Sequence, residues 1–226
     1  MAPGAAGEIR MTEALAERRA QKDQVLEAAL QHAAFDGWSG RTLINAAADC
    51  GMDAPTARRL FPRGGDSLLE WLDDWTDRRM VAAVPDMNLA SLPIRRRVVH
   101  LVRARLQALA SHREAVRRAV VARGLPHNLG PGTRAIWRTV DLIWDLAGMP
   151  GGAGQGLSWY TRRGTLGAVL VATTLFWLED TSENQADSWA FLDRRIEDVM
   201  RVGRVRAQVE TLLRGVPGFR PAARRQ

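Results

Sequence analysis

The sequence predicts an all-α protein, and three observations carry that reading. Apolar residues recur at helical spacing through almost the whole chain, and most runs close on a helix-stop residue. No alternating apolar and polar run lies between turn signals. Val98–Val102 and Val169–Thr174 are rich in β-branched residues, but each sits inside a longer pattern of period 3.6. With 226 residues, 46% of them apolar and 25% charged, the chain can also bury a globular core.

The elements follow in order. Residues 1–18 are Ala/Gly-rich at the start and are assigned to a disordered tail. They have no apolar signal segment, and Glu8, Glu13 and Glu17 argue against a transit peptide. Helix formers over Ala14–Phe35 carry Val25, Ala28, Ala29 and Ala33 on one stripe and stop at Asp36-Gly37. Arg41–Cys50 is the next helix, with Gly51 where a left-handed residue is wanted. Asp53 is an N-cap, and Pro55 falls in a first turn, where its missing N–H costs nothing. Asp66 is expected to cap a fourth helix holding Leu68, Leu69, Leu72, Trp75 and Met80.

Pro85–Pro93 reads as a connector before the amphipathic run Ile94, Val98, Leu101, Val102, Leu106, Leu109. Val116–Arg123 is broken by Leu125-Pro126-His127-Asn128, and Ile136, Trp137, Val140, Ile143 and Trp144 mark the following helix. Gly148–Gly156 is a Gly-rich loop, Trp159–Leu178 the most apolar helix, and Asp187 the expected cap of a helix with Trp189, Leu192 and Ile196. The expected divisions are a helix-turn-helix-like module at 19–70, a helical domain at 71–202, and a basic amphipathic end at 203–226.

Charge and composition exclude several function classes. Of the net +7, five charges lie in Gly203–Gln226, where six arginines face one glutamate. A basic balance confined to a tail does not identify a DNA-binding protein; it suits an anionic membrane, nucleic acid or an acidic partner alike. The lone cysteine, Cys50, rules out a disulfide scaffold and a Cys-based zinc site. His32, His100, His112 and His127 have no histidine partner at i+3 or i+4, so no metal pair is written into a helix. No phosphate-cradle spacing and no catalytic constellation is present, so an enzyme is not expected.

Two features could carry a binding function. Trp38–Leu69 has helix-turn-helix spacing, with Ala46, Ala47, Met52, Ala57 and Leu60 as its core, and it resembles the N-terminal module of TetR-type repressors. In that family Arg58, Arg59 and Arg63 would lie near phosphates. However, Arg58 stands where the pattern has an aromatic, Pro55 stiffens the helix, and the net charge of 41–63 is small. The module therefore reads as a retained scaffold. The second feature is Gly164–Leu178, 15 residues without a charge, too short for the roughly 20 that span a bilayer. It is either a central core helix or the wall of an apolar cavity, with Trp144 and Trp177 as large surfaces. Beyond it, Val202, Val205, Val209, Leu212 and Val216 form one stripe, as on a helix that lies on a membrane or packs on a partner.

Three strings identify a family resemblance: Leu125-Pro126-His127-Asn128, Trp159-Tyr160-Thr161-Arg162-Arg163, and Asp187-Ser188-Trp189-Ala190-Phe191-Leu192-Asp193-Arg194-Arg195-Ile196 followed by Val199-Met200. In this order and spacing they resemble the Coq-nine family of coenzyme Q biosynthesis accessory proteins. Ala34-Phe35-Asp36-Gly37-Trp38 and Phe61-Pro62-Arg63-Gly64 are similar to it as well. The resemblance implies a TetR-like helical bundle, a homodimer and no catalysis. It implies an apolar cavity for an isoprenoid quinone intermediate or phospholipid, with no other cofactor. The quinone would be presented to the membrane-bound demethoxyubiquinone hydroxylase. By position, Leu166, Val169, Leu170, Thr173 and Trp177 would line the cavity, beside Trp144. Asp141, Ile143, Trp159 and Tyr160 would face the hydroxylase; on their own, Trp159 and Tyr160 could equally be core staples at a helix start. Val205, Arg206, Val209, Leu212 and Leu213 would touch the membrane, at the inner face of a bacterial plasma membrane. DNA is not expected as a partner. A ligand-responsive TetR-type regulator and a lipid-free adaptor for the hydroxylase remain the alternatives.

Overall fold

The computed structural model describes residues 4–149 and 157–198, with side chains over 10–149 and 160–198. All regular structure among them is helical: α1 (Gly4–Asp36), α2 (Gly40–Asp49), α3 (Ala54–Leu60), α4 (Gly65–Ala82), α5 (Ile94–Gln107), α6 (Arg113–Arg123), α7 (Pro126–Leu146), α8 (Leu157–Glu179) and α9 (186–198). Short 3-10 turns occupy Val84–Met87, Leu89–Ser91, Ala110–His112 and Glu183–Gln185. The chain divides into two compact units, Met1–Met87 with Ala104–Thr139, and Asn88–Arg103 with Val140–Gln226.

The unit that holds the helix-turn-helix extends past residue 70. In the first unit α1–α4 do not close on themselves. Trp38 Nε1 donates to the Ala115 carbonyl of α6 at 2.9 Å, and Arg123 on α6 donates to Asp73 on α4 at 2.7 Å. Buried Asp77 on α4 accepts from Arg105 Nε at 2.8 Å and from the Thr139 hydroxyl at 2.8 and 3.0 Å. A buried carboxylate left alone is very costly, so Asp77 holds the later helices to the helix-turn-helix.

The local chemistry of the module is largely as expected. Asp53 caps α3 by accepting from Thr56 N at 2.9 Å, with Pro55 in the first turn. Gly51 closes α2 with φ +70°: its N–H reaches the Ala48 carbonyl and Met52 N–H the Ala47 carbonyl, which is a Schellman arrangement. Ala46, Ala47, Ala57 and Leu60 are buried, and Met52 is half-buried.

Three expectations are corrected. Residues 4–18 are helical rather than a disordered tail: α1 begins at Gly4, and residues 10–20 are exposed, so Ala, Glu and Arg propensity sustains helix there with little packing. Asp66 does not cap α4, because Gly64 is the cap residue and makes no side-chain cap bond; Asp66 instead accepts from Asn128 Nδ2 at 3.2 Å. Helix α7 starts at Pro126, where a proline is tolerated, and carries Pro131 within it.

In the second unit Arg97 is a three-way tie. Its guanidinium donates to the carbonyls of Leu92, Ala90 and Ala147, fastening the turn before α5 to the C-terminal end of α7. A cation there also complements the helix dipole. Asp187 does not cap α9. Asp180, buried at the end of α8, accepts from the N–H and hydroxyl of both Ser182 and Ser188. Burial pushes its carboxyl up, but these hydrogen bonds reverse that and hold it far below the usual aspartate range.

Candidate functional site

The candidate site is built on α8 and the last two turns of α7, all within the second unit. Leu166, Val169, Leu170, Thr173 and Trp177 follow one another at helical spacing, and all five are buried. Trp144 on α7 is buried too. In this apolar setting two polar atoms stand out. Trp144 Nε1 and Thr173 Oγ1 are fully buried and have no hydrogen-bond partner among the described residues. An orphaned buried donor costs about 1–3 kcal/mol, and buried polar groups in proteins are rarely left so.

The outer face of α8 is apolar as well. Val171 is 41% exposed and Leu175 46%, with exposed Ala168 one turn before. Phe176 stacks on Phe191 of α9, ring centroids 4.7 Å apart. Sequence reasoning missed this face, because a helix apolar all round gives no period by which to separate inside from outside.

The four residues of the expected partner patch do not share one fate. Tyr160 is 53% exposed on the first turns of α8. Asp141 is half exposed and ion-pairs with Arg163, whose side chain is itself buried. No signal in the sequence marks this buried cation. Ile143 is 0% exposed and packs in the core, so its place on a surface patch is corrected. Trp159 lies in the first turn of α8, and its side chain is outside the described residues, as are Val205, Arg206, Val209, Leu212 and Leu213.

The helix-turn-helix presents little free charge. Arg58 and Arg59 are exposed on α3, but Arg59 donates to Thr56 at 2.7 Å and Arg63 is ion-paired with Glu70. No group of His, Cys, Asp or Glu among the described residues is placed to hold a metal, and none of their helices is long and apolar enough to cross a membrane.

Comparison with known proteins finds relatives of this chain. A family model described as COQ9 matches residues 129–203, which hold most of α7 and all of α8 and α9. The resemblance to the COQ9 family holds. The ubiquinone biosynthesis protein COQ9, mitochondrial, of Homo sapiens is 27% identical over 205 residues, covering 86% of this chain and 64% of that protein. Its counterpart in Rattus norvegicus is 28% identical, covering 86% and 65%. This COQ9-like chain thus spans a little under two thirds of these relatives. In three dimensions it is similar to a TetR transcriptional regulator from Nitrosomonas europaea, with a TM-score of 0.64 at 25% identity, over 79% of this chain and 97% of that one. The fold is all-α and TetR-like.

Proposed function

We propose that this COQ9-like chain is a non-catalytic, lipid-binding accessory protein of ubiquinone biosynthesis. It holds an isoprenoid quinone intermediate along the buried face of α8 and presents it to the demethoxyubiquinone hydroxylase at the membrane. The observation that carries the reading is the pairing of an apolar face with orphaned Trp144 and Thr173 donors. A molecule with a long hydrocarbon tail and ring oxygens matches that combination, since each oxygen would accept where the protein offers no acceptor. The relatives' name, ubiquinone biosynthesis protein, supports the pathway. Tyr160, 53% exposed, offers the kind of aromatic surface that protein partners use as an anchor. The outer face of α8 meets a second copy of the chain, and the C-terminal stripe from Val205 to Leu213 rests on anionic lipid.

Two measurements test this. Native mass spectrometry with organic extraction is expected to show a dimer carrying isoprenoid quinone or phospholipid; a lipid-free protein makes α8 an ordinary core helix. Thr173→Val removes an orphaned hydroxyl, so folding stability should hold or rise while quinone retention falls roughly five- to tenfold, the worth of one hydrogen bond. Unchanged retention removes Thr173 from the site.

A second reading has its own observation, the similarity to a transcriptional regulator over 97% of that chain. On it the chain is a ligand-responsive, DNA-binding regulator. Binding to its own promoter that weakens steeply with salt would favour it over the carrier.

A further inference from the structure

One cleft of the first unit plays no part in the carrier reading. It lies where α1, the end of α3 with the turn before α4, α4 itself and the middle of α7 come together, and Lys22, the only lysine of the chain, stands at its wall. The Lys22 ammonium sits 3.9 Å from the centroid of the Trp71 ring and 5.0 Å from that of Phe61. The aromatic faces offset part of the cost of removing this charge from water. Burial, and next the charge of Arg18, still push its pKa down, while Asp74, Asp23 and Glu70 pull it back. The cleft encloses about 380 Å³ and is bounded by Arg63, Ser67 and Arg138 as well. A hollow of about 450 Å³ shares the walls of Arg63, Glu70 and Arg138 and adds Arg134.

Acidic residues also line these hollows, so the sign of the site depends on which charges are already engaged. Glu70 is ion-paired with Arg63, and Asp74 accepts from Arg78 at 2.8 Å. Asp73 is held by Arg123 at 2.7 Å and Arg105 at 3.6 Å. Asp77 is held by Arg105 at 2.8 Å and reaches Arg138 only at 3.9 Å. Every carboxylate thus has a close guanidinium. Lys22 and Arg134, in contrast, form no salt bridge among the described residues, and Arg138 forms only the long one. Ser67 Oγ accepts from Arg63 N at 3.0 Å, which leaves its hydroxyl hydrogen to donate. The surplus is therefore two uncommitted cations, a third loosely held, and a free O–H.

We propose that these two adjoining hollows bind a phosphate ester, with a diphosphate group meeting Lys22 and Arg138 in the first and Arg134 and Arg138 in the second. A single carboxylate would answer only one of the uncommitted charges. A phosphate group brings about two charges and several acceptor oxygens, and guanidinium forks meet it in bidentate geometry. The hollow is of a size for a small phosphorylated molecule or a lipid head group. A DNA duplex is a poorer match, because Arg58 and Arg59, exposed on α3, the helix that a duplex would meet, line neither hollow.

The single lysine makes the test direct. Protein labelled with ¹³C at the lysine ε-carbon gives one lysine side-chain resonance, that of Lys22. Inorganic pyrophosphate added at low salt is expected to move it saturably, with a dissociation constant below roughly 1 mM, and to raise the Lys22 titration midpoint. Arg134→Ala and Arg138→Ala should each weaken binding by roughly tenfold. By calorimetry, Lys22→Met should lose the binding heat while its melting temperature stays close to that of the parent. A shift reproduced by chloride at matched ionic strength, no saturation in the millimolar range, or full affinity in both arginine variants would overturn the site. Vesicles of phosphatidylcholine with and without phosphatidic acid identify the source. A shift caused only by the phosphatidic acid vesicles, and reversed by pyrophosphate, indicates a lipid head group. A response to pyrophosphate alone indicates a free phosphate ester. None of these readouts involves a quinone, so failure here leaves the carrier reading standing, and the reverse.

Discussion

Asp180 shows how one residue can carry a junction. Its carboxylate accepts from four groups of Ser182 and Ser188, and so turns the chain from α8 into α9. Asp180→Asn keeps the shape and one accepting oxygen but places amide hydrogens against one N–H and one O–H, those of Ser182 or of Ser188. It should cost roughly 1.5–3 kcal/mol at neutral pH, the worth of a hydrogen bond to a charged group. Because the folded carboxyl titrates below its unfolded value of about 3.9, its stabilisation is complete above that pH and fades as pH falls through the lower folded value. Urea melts should therefore show a constant gap between parent and variant from neutral pH to about pH 4, closing in stronger acid. A gap independent of pH would mean that Asp180 acts by shape alone. This role was not legible in the sequence, where Asp187 is the better-looking cap; only the folded turn puts two serines within reach of Asp180. Caps that act within three residues, such as Asp53 with Thr56, were legible because the partner is set by local spacing.

At the scale of the element, the start of α4 depends on closeness of backbones rather than on a capping side chain. A Cβ placed on Gly65 would lie 2.3 Å from the Trp38 carbonyl oxygen and 2.8 Å from Ser39 N, both backbone atoms with little room to move. Gly65→Ala should therefore destabilise by roughly 1–3 kcal/mol, as overpacking does. At Gly164 on α8, by contrast, an added Cβ would meet nothing within 4 Å. Gly164→Ala should stabilise by roughly 0.5–1 kcal/mol through helix propensity. Thermal or urea unfolding of the pair checks both signs, and two equal effects would refute the steric argument. Two adjacent glycines stand at 64–65 in the sequence, but which of them was needed for contact was not legible, since the partner, Trp38, lies far away in the sequence. Helix identity along the chain was legible for the opposite reason: period, breakers and caps are local properties.

For the molecule as a whole, the argument turns on the two faces of α8. The inward face, Leu166, Val169, Leu170, Thr173 and Trp177, is buried, as a stretch of 15 uncharged residues requires of at least one side. The outward face has no such cover: Val171 and Leu175 remain about half exposed beside the Phe176–Phe191 stack. An exposed apolar surface of this kind marks a contact with something else. The proposed homodimer supplies it, with each copy offering the same face. Val171→Asp combined with Leu175→Asp would place unpaired charges at that contact. Each buried charge without a partner costs roughly 3–5 kcal/mol, so a dimer held at micromolar dissociation constant should become monomeric. The side chains altered point away from the inward face, so the helical signal by circular dichroism should be unchanged. Sedimentation equilibrium of parent and variant decides the matter. A parent that is monomeric at micromolar concentration, or a variant that stays dimeric, would take the second copy off α8 and leave this face to a different partner.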